Sequence, residues 1–588
     1  MTRWKVLLAS LAMCLSLAAP ALAQQASDTL APERPGGATA TRPAVTAKNW
    51  MVAAANPLAA QAGAEMLRAG GSAIDAMVAV QLVLGLVEPQ SSGLGGGSFL
   101  VYWDATERKL TTFDGRETAP MAATPLLFQN EKGEPLGFMA AVVGGRSVGT
   151  PGTPRLLEVV HRRYGKLAWG RLFEPAIGLA EQGFDVSPRL AGLVAAEGDA
   201  LKRFAPTTAY FFPDGAPLKA GAVLRNPAYA ATLHALAEEG ADSFYSGPLA
   251  AEIVRTVREA SGNPGVLAEG DLAAYRVKER SPVCGPYRGL EVCGMGPPSS
   301  GALTLGQILG MLEPYDLKAL GPTSPESWRL IADASRLAFA DRNRYMADED
   351  FVPMPTKGLL APDYLKARAE LLRGDDALPE VAAGMPKWDH ALLSPPAYAD
   401  DAALELPSTS QIVIVDADGN ALSMTTTIEN GFGSRLMVGG FLLNNELTDF
   451  SFKSQENGVP VANRVEPGKR PRSSMTPTIV LKDGKPVLAL GSPGGSQIIG
   501  YVAKTLVSHL DWGMDIQAAV AAPNVLARFD AVEIEKGTSA EALEPGLKAL
   551  GFPVKSAEMT SGVQAIAIGE GELTGAADPR REGIAIGE

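Results

Sequence analysis

The chain is poor in histidine, cysteine and clustered basic residues, and each shortage removes a class of function. Its four histidines, His161, His234, His390 and His509, are scattered over 588 residues without ligand spacing, so no histidine-built metal site is expected. A G-x-S-x-G elbow is missing, which sets aside an ordinary Ser-His-Asp hydrolase. The formal net charge of −13, with no basic run to offset it, argues against a nucleic-acid partner. Beyond the N-terminus no stretch reads as a membrane span. "IDAMVAVQLVLGLV" comes nearest, and Asp75 and its modest length suit a buried helix better. "GLGGGS" at Gly93 lacks the last glycine of a dinucleotide loop and precedes a strand, so it reads as turn geometry, and no cofactor is expected.

Of the three cysteines, Cys14 falls in the leader, while Cys284 and Cys293 stand symmetrically about Arg288-Gly289. A hairpin there places the pair opposite one another. In an oxidising compartment the two can form a disulfide; otherwise they are two small buried thiols, and their spacing resembles no metal site.

What remains is ordinary for a large globular enzyme, 46% hydrophobic and 20% charged. Residues 1–23 have the order of a secretory signal: Arg3 and Lys5, an apolar run, then Ala21-Leu22-Ala23 as a small-residue cleavage box. The mature protein is therefore expected to be periplasmic or secreted, with no membrane span once the signal is removed. Residues 24–47, rich in Ala, Pro and Thr, read as a flexible lead-in. Two helical patterns follow between Pro57 and Val87, then a glycine turn into a strand and its hairpin partner "KLTTFDGRE". Residues 150–375 are mostly helical in pattern. From 375 to 408 the pattern dissolves into prolines and aspartates, a structureless stretch long enough to be functional or flexible. "SQIVIVDADGNALSMTTTIE" then gives two β-rich runs around an Asp-Gly turn, and the last third is hairpins with helices alongside.

At that change of texture stand Ser408, Thr409 and Ser410. With no histidine base in view, a hydroxyl nucleophile can use its own α-amine, whose pKa of about 7.7–8.0 lets it accept a proton near neutrality. That requires cutting the preceding peptide bond. The competing reading is a hydrogen-bonded turn, which the local pattern alone favours. Downstream, Gly494 and Gly495 in "LGSPGGSQIIG" offer backbone N–H donors ahead of a helix, suited to a tetrahedral oxyanion. "NNELTDF" and "KRPRSSMTP" place carboxylates and paired serines in loops between apolar runs.

At these residues the sequence resembles the γ-glutamyltransferase family of N-terminal nucleophile hydrolases. The likeness is carried by "VEPQSSGLGGG", "PPSSGALTLGQIL", "DADGNALSMTTTI", "FLLNNELTDFS", "KRPRSSMTPTIV" and "GSPGGSQI", in the family's order. The resemblance implies an α+β fold, a four-layer αββα sandwich with two stacked antiparallel sheets flanked by helices. It implies a precursor that cuts itself between Ser408 and Thr409 into a large subunit, 48–408, ending in the linker 375–408, and a small subunit, 409–588. It implies transfer of the γ-glutamyl group of a glutathione-like donor to water or an acceptor amine. Thr409 matches the nucleophile, Thr427 its supporting threonine, and Gly494 and Gly495 the oxyanion-hole glycines. Arg116, Ser473 and Ser474 match the binders of the substrate α-carboxylate, and Glu446 and Asp449 those of its α-amino group. Two positions depart from the family: Gln411 replaces its usual histidine, and Glu429 stands where an asparagine commonly faces the α-amino group. The segment from Phe450 to Arg472 has no Tyr or Trp, so an aromatic lid is not expected. The alternatives are a glutaryl or cephalosporin acylase on the same scaffold, or a catalytically silent periplasmic binding protein.

Overall fold

Strand Ser410–Val415 is apolar on both faces, which is what a strand needs when it lies inside a stack of layers. In the computed structural model, which describes residues 42–389, 396–403, 405–406 and 408–588, its alternating side chains go two ways. Ile412 and Ile414 join the core beneath the helices Pro57–Arg68 and Ala73–Val87. Val413 and Val415 join a second core, with Val101, Ile479, Ala489 and Ile566, between two sheets. The signal expected over 1–23, most of the lead-in and His390 lie outside the described residues.

Both sheets have seven strands and are antiparallel throughout. One runs Ile584–Gly587, Met51–Ala54, Ser410–Val415, Ala421–Thr427, Gly97–Asp104, Lys109–Gly115, Lys278–Arg280. The other runs Val45–Ala47, Leu573–Ala577, Gln564–Ile568, Lys485–Gly491, Thr478–Lys482, Leu290–Gly294, Val283–Tyr287. The outer face of this second sheet carries Val480, Leu488 and Ala565 against helices Gly301–Leu312, Pro325–Tyr345 and Ile498–Leu510. The architecture is therefore the four-layer αββα sandwich. Strand Ser410–Val415 sits inside its sheet, between Met51–Ala54 and Ala421–Thr427.

Local chemistry explains the elements that frame the site. Helix Pro57–Arg68 begins with Asn56 accepting the Leu58 N–H and Pro57 in its first turn. Helix Ala73–Val87 opens on a Ser72/Asp75 capping box, so Asp75 is a cap in a wholly buried helix. The Asp-Gly turn is tied by Asp416, whose Oδ1 accepts from the N–H groups of Asp418 and Asn420 at 3.0 Å each. Cys284 and Cys293 are direct partners in their hairpin and form a disulfide, Cα to Cα 4.1 Å.

The described part of 375–408 has no helix or strand, yet it is not slack. Gly384 N donates to Asp341, Asp389 accepts from Lys357 N, and Asp401 pairs with Arg472 at 2.9 Å. Charged side chains and single backbone bonds, such as Ala399 N to Pro460 O at 3.0 Å, fasten it in place of a ladder.

Candidate active site

Thr409 immediately precedes the central strand and is buried. Its Oγ1 donates to the Ser408 carbonyl oxygen at 2.5 Å and lies 3.2 Å from Thr427 Oγ1. The Thr427 hydroxyl also donates to the Ser408 oxygen, at 2.9 Å, and accepts from the Glu429 N–H at 2.9 Å. The backbone N–H occupies a lone pair of Thr427 and leaves its proton for the carbonyl, so two hydroxyls converge on one peptide bond. Ser408 is fixed by its own Oγ, which donates to Gln90 O at 2.7 Å, and Arg581 donates to the Thr409 carbonyl at 3.1 Å.

Gly494 and Gly495 form the turn between strand Lys485–Gly491 and helix Ile498–Leu510. Their φ values of 139° and 56° are open to glycine, and at Gly495 there is also no room: a Cβ would meet the Glu405 oxygen at 2.6 Å and the Leu406 carbonyl carbon at 2.7 Å. The linker main chain therefore lies directly on this turn.

Acidic groups line the opposite wall. Arg116, at the end of strand Lys109–Gly115, is fully buried; it pairs with Glu446 and Asp449 and donates to Arg472 O at 2.9 Å. Glu429 lies in a loop with φ 75°, a conformation costly for a side chain with a Cβ. Asn445 donates to one of its oxygens and Leu406 N to the other, at 3.4 Å. Burial, and then the charge of Glu446, push the Glu429 carboxyl up to about 8. Burial likewise raises Glu446 and Asp449 against the opposing pull of Arg116. Ser473 Oγ accepts from Met475 N at 3.1 Å, whereas Ser474 Oγ is engaged by Arg342, at 2.7 Å, and by Glu405. Thr409, Thr427, Arg116, Glu429, Glu446, Asp449, Ser473, Ser474 and Gly495 thus face one cavity of about 20 Å³, which Glu405 and Leu406 of the linker also line.

Comparison with known proteins settles what kind of protein carries this arrangement. The family model described as gamma-glutamyltranspeptidase matches residues 59–588. The chain belongs to the gamma-glutamyltranspeptidase family. It is 39% identical over 553 residues to the "Glutathione hydrolase proenzyme" of Bacillus subtilis (strain 168), covering 92% of each chain. It is 38% identical to the protein of the same name from Escherichia coli (strain K12), covering 91% of each. Among solved structures it resembles the cephalosporin acylase from Bacillus halodurans, with TM-score 0.82 and 28% identity over 93% of this chain and 97% of that one. The protein is accordingly an enzyme of hydrolase and transferase type.

Within this gamma-glutamyltranspeptidase framework, Gln411 has a definite place. It points between the sheets, fully buried, accepting from Thr425 Oγ1 at 2.6 Å and donating to Ser423 Oγ at 2.9 Å. Ser423 passes the connection to Leu490 O on the other sheet, at 2.8 Å. Gln411 therefore links the two sheets beneath the strand and does not line the cavity.

Sequence reading missed Glu405, which lines the gamma-glutamyltranspeptidase cavity, and two buried residues behind its wall, Glu117 and Arg342. Glu117, next to Arg116, is fully buried, and its oxygens receive no N–H or O–H among the described residues. Burial and the neighbouring Glu446 raise it well above the usual carboxylate range. Its place in "DGRE" was a signal available beside the arginine. Arg342 and Glu405 carried no such signal, since they meet from a long helix and the linker.

Proposed function

We propose that this chain is an exported precursor that cuts itself between Ser408 and Thr409, and that the product hydrolyses or transfers the γ-glutamyl group of glutathione-like amides. The observation that carries the reading is the pairing, in one cavity, of the Thr409 hydroxyl with carboxylates and an arginine suited to a free amino-acid end. In the first reaction Thr409 Oγ adds to the Ser408 carbonyl carbon while the Thr427 hydroxyl stabilises the oxygen. The C–N bond then breaks, its nitrogen takes a proton to become the Thr409 amine, and water hydrolyses the resulting ester. The large subunit then ends at Ser408 and the small subunit begins at Thr409.

In the second reaction the freed amine takes the proton of Thr409 Oγ as it attacks the donor carbonyl. The N–H groups of Gly494 and Gly495 receive the oxyanion. The amine returns the proton to the leaving nitrogen, and water or an acceptor amine releases the acyl group. Arg116, Ser473 and Ser474 take the α-carboxylate; Glu429, Glu446 and Asp449 take the α-ammonium. No cofactor enters either step.

The acylase neighbour favours a second reading, a glutaryl donor, which lacks the α-ammonium. Glu429 weighs against it: Arg116 pairs with Glu446 and Asp449, and Glu429 adds a further carboxylate whose charged form favours an ammonium. A γ-glutamyl anilide and the matching glutaryl anilide, tested on processed protein, decide between them. Faster turnover of the glutaryl compound would overturn the γ-glutamyl assignment, and a chain that stays whole after maturation would overturn the processing step.

A further inference from the structure

Arg342 approaches the cavity from helix Pro325–Tyr345, with its guanidinium wholly buried. Its Nε donates to Ser300 Oγ at 2.8 Å and its Nη2 to Ser474 Oγ at 2.7 Å, and the same Nη2 pairs with Glu405. The other Glu405 oxygen accepts from Ser474 Oγ, and Arg472 Nε lies 3.6 Å from the carboxylate. Next along the chain, Leu406 N donates to Glu429 Oε1 at 3.4 Å. Between these two contacts the Glu405 carbonyl rests against Gly495. One dipeptide therefore puts a carboxylate on Ser474, an N–H on Glu429 and a carbonyl on the glycine turn.

The covalent chemistry makes this more than a coincidence of contacts. In a γ-glutamyl amide, three carbons separate the free carboxylate from the amide carbonyl. In Glu405 three carbons, Cγ, Cβ and Cα, separate the side-chain carboxylate from the peptide carbonyl. Viewed from its side chain, Glu405–Leu406 is a glutaryl amide with the donor's skeleton and its nitrogen moved to the other end.

We propose that Glu405–Leu406 is an internal stand-in for the donor, and that Arg342 completes the carboxylate subsite with Ser474. This rests on the γ-glutamyl-amide reading given above. A donor enters by exchanging its own carboxylate for that of Glu405, on a cradle that the cleaved tail can re-enter. The tail is then a built-in competitor, and part of the apparent KM reflects its displacement.

The test is an acetylated peptide of residues 403–408, Ala-Leu-Glu-Leu-Pro-Ser with a free C-terminal carboxylate, added to processed enzyme turning over either anilide. It is expected to raise KM and leave kcat unchanged. The same peptide with Gln for Glu is expected to bind about tenfold more weakly. In the full chain, Glu405→Gln lowers donor KM several-fold, and Arg342→Gln raises KM more than it lowers kcat. Should either variant fail to process, the peptide assay on wild-type enzyme still decides. Absence of inhibition at millimolar peptide, or inhibition that lowers kcat alone, would overturn the inference while leaving donor turnover intact. If neither anilide is turned over, the donor reading falls and the stand-in falls with it.

Discussion

The two sides of the Ser408–Thr409 bond are held by different forces. Downstream, Ser410–Val415 is laddered to a strand on each side, so its position follows from backbone hydrogen bonds and two layers of core. Upstream, the described linker residues form no strand; single backbone bonds such as Ala399 N to Pro460 O and Asp401 N to Asn343 O join the ion pairs of Asp401 with Arg472 and Glu405 with Arg342 in fastening them. A strand of this kind cannot be exchanged without unfolding the sheet, whereas a carboxylate on an arginine can be exchanged for another carboxylate. The nucleophile belongs to the permanent side and the tail to the replaceable side. Arg342 and Arg472 hold the Glu405 carboxylate below its ordinary range although burial opposes them, so near neutrality the tail is tied as an anion.

The largest effect should come from removing the hydroxyl that stands on this border. Thr409→Ala is expected to abolish both chain cleavage and amide turnover, since one oxygen serves both reactions; a denaturing gel and the anilide assay read the two separately. Cleavage that persists in this variant would show that the permanent side does not carry the nucleophile. Thr427→Val keeps the shape of the side chain and removes the donor to the Ser408 oxygen. Loss of one such donor costs on the order of 10²–10³ in rate, and the expected result is slow processing at that scale, followed as the disappearance of the precursor band. The ladder itself should be undisturbed.

A smaller, pH-dependent effect separates the acidic wall from the amine. Glu429, pushed up to about 8 chiefly by burial, is neutral below that pH and charged above it, and only the charged form attracts an ammonium strongly. The freed Thr409 amine titrates in the same range, at about 7.7–8.0 in unperturbed chains, and it affects every donor alike. The ratio of kcat/KM for the γ-glutamyl anilide over the glutaryl anilide cancels the amine. That ratio is expected to rise several-fold between pH 6 and roughly pH 8, and Glu429→Gln should flatten it. A flat ratio in the wild-type enzyme would mean that Glu429 does not meet the donor's amino group.

Much of this layout was legible beforehand, and the illegible parts share a cause. The Asp-Gly hairpin, the cysteine pair and the change of texture near 408 are local, and local chemistry marks them. Arg342 and Glu405 meet across 63 residues, and nothing within either neighbourhood foretells the other. The held character of the linker was hidden for the same reason, because its aspartates and glutamate find partners on distant elements. The strand "SQIVIV" concealed which face was which, since a strand buried on both sides shows no polar alternation beyond Gln411 itself.

Gln411 supplies the smallest predicted effect and the sharpest control on the comparison. It lies two residues beyond Thr409, on the side of the strand that faces the second sheet, with hydrogen bonds to Thr425 and Ser423. Gly491 lies against it so closely that a Cβ there would approach its side-chain amide to 2.5 Å. Replacing Gln411 with Leu keeps the bulk and removes both links, stranding the buried Thr425 hydroxyl at a cost of about 1–3 kcal/mol. The expected result is a lower thermal midpoint with processing and donor KM unchanged, because Gln411 bonds to Thr425 and Ser423 and does not line the cavity. A shift in KM without a shift in stability would instead make the departure from the family's histidine a matter of substrate binding, and would move Gln411 from the permanent side of the bond to the pocket.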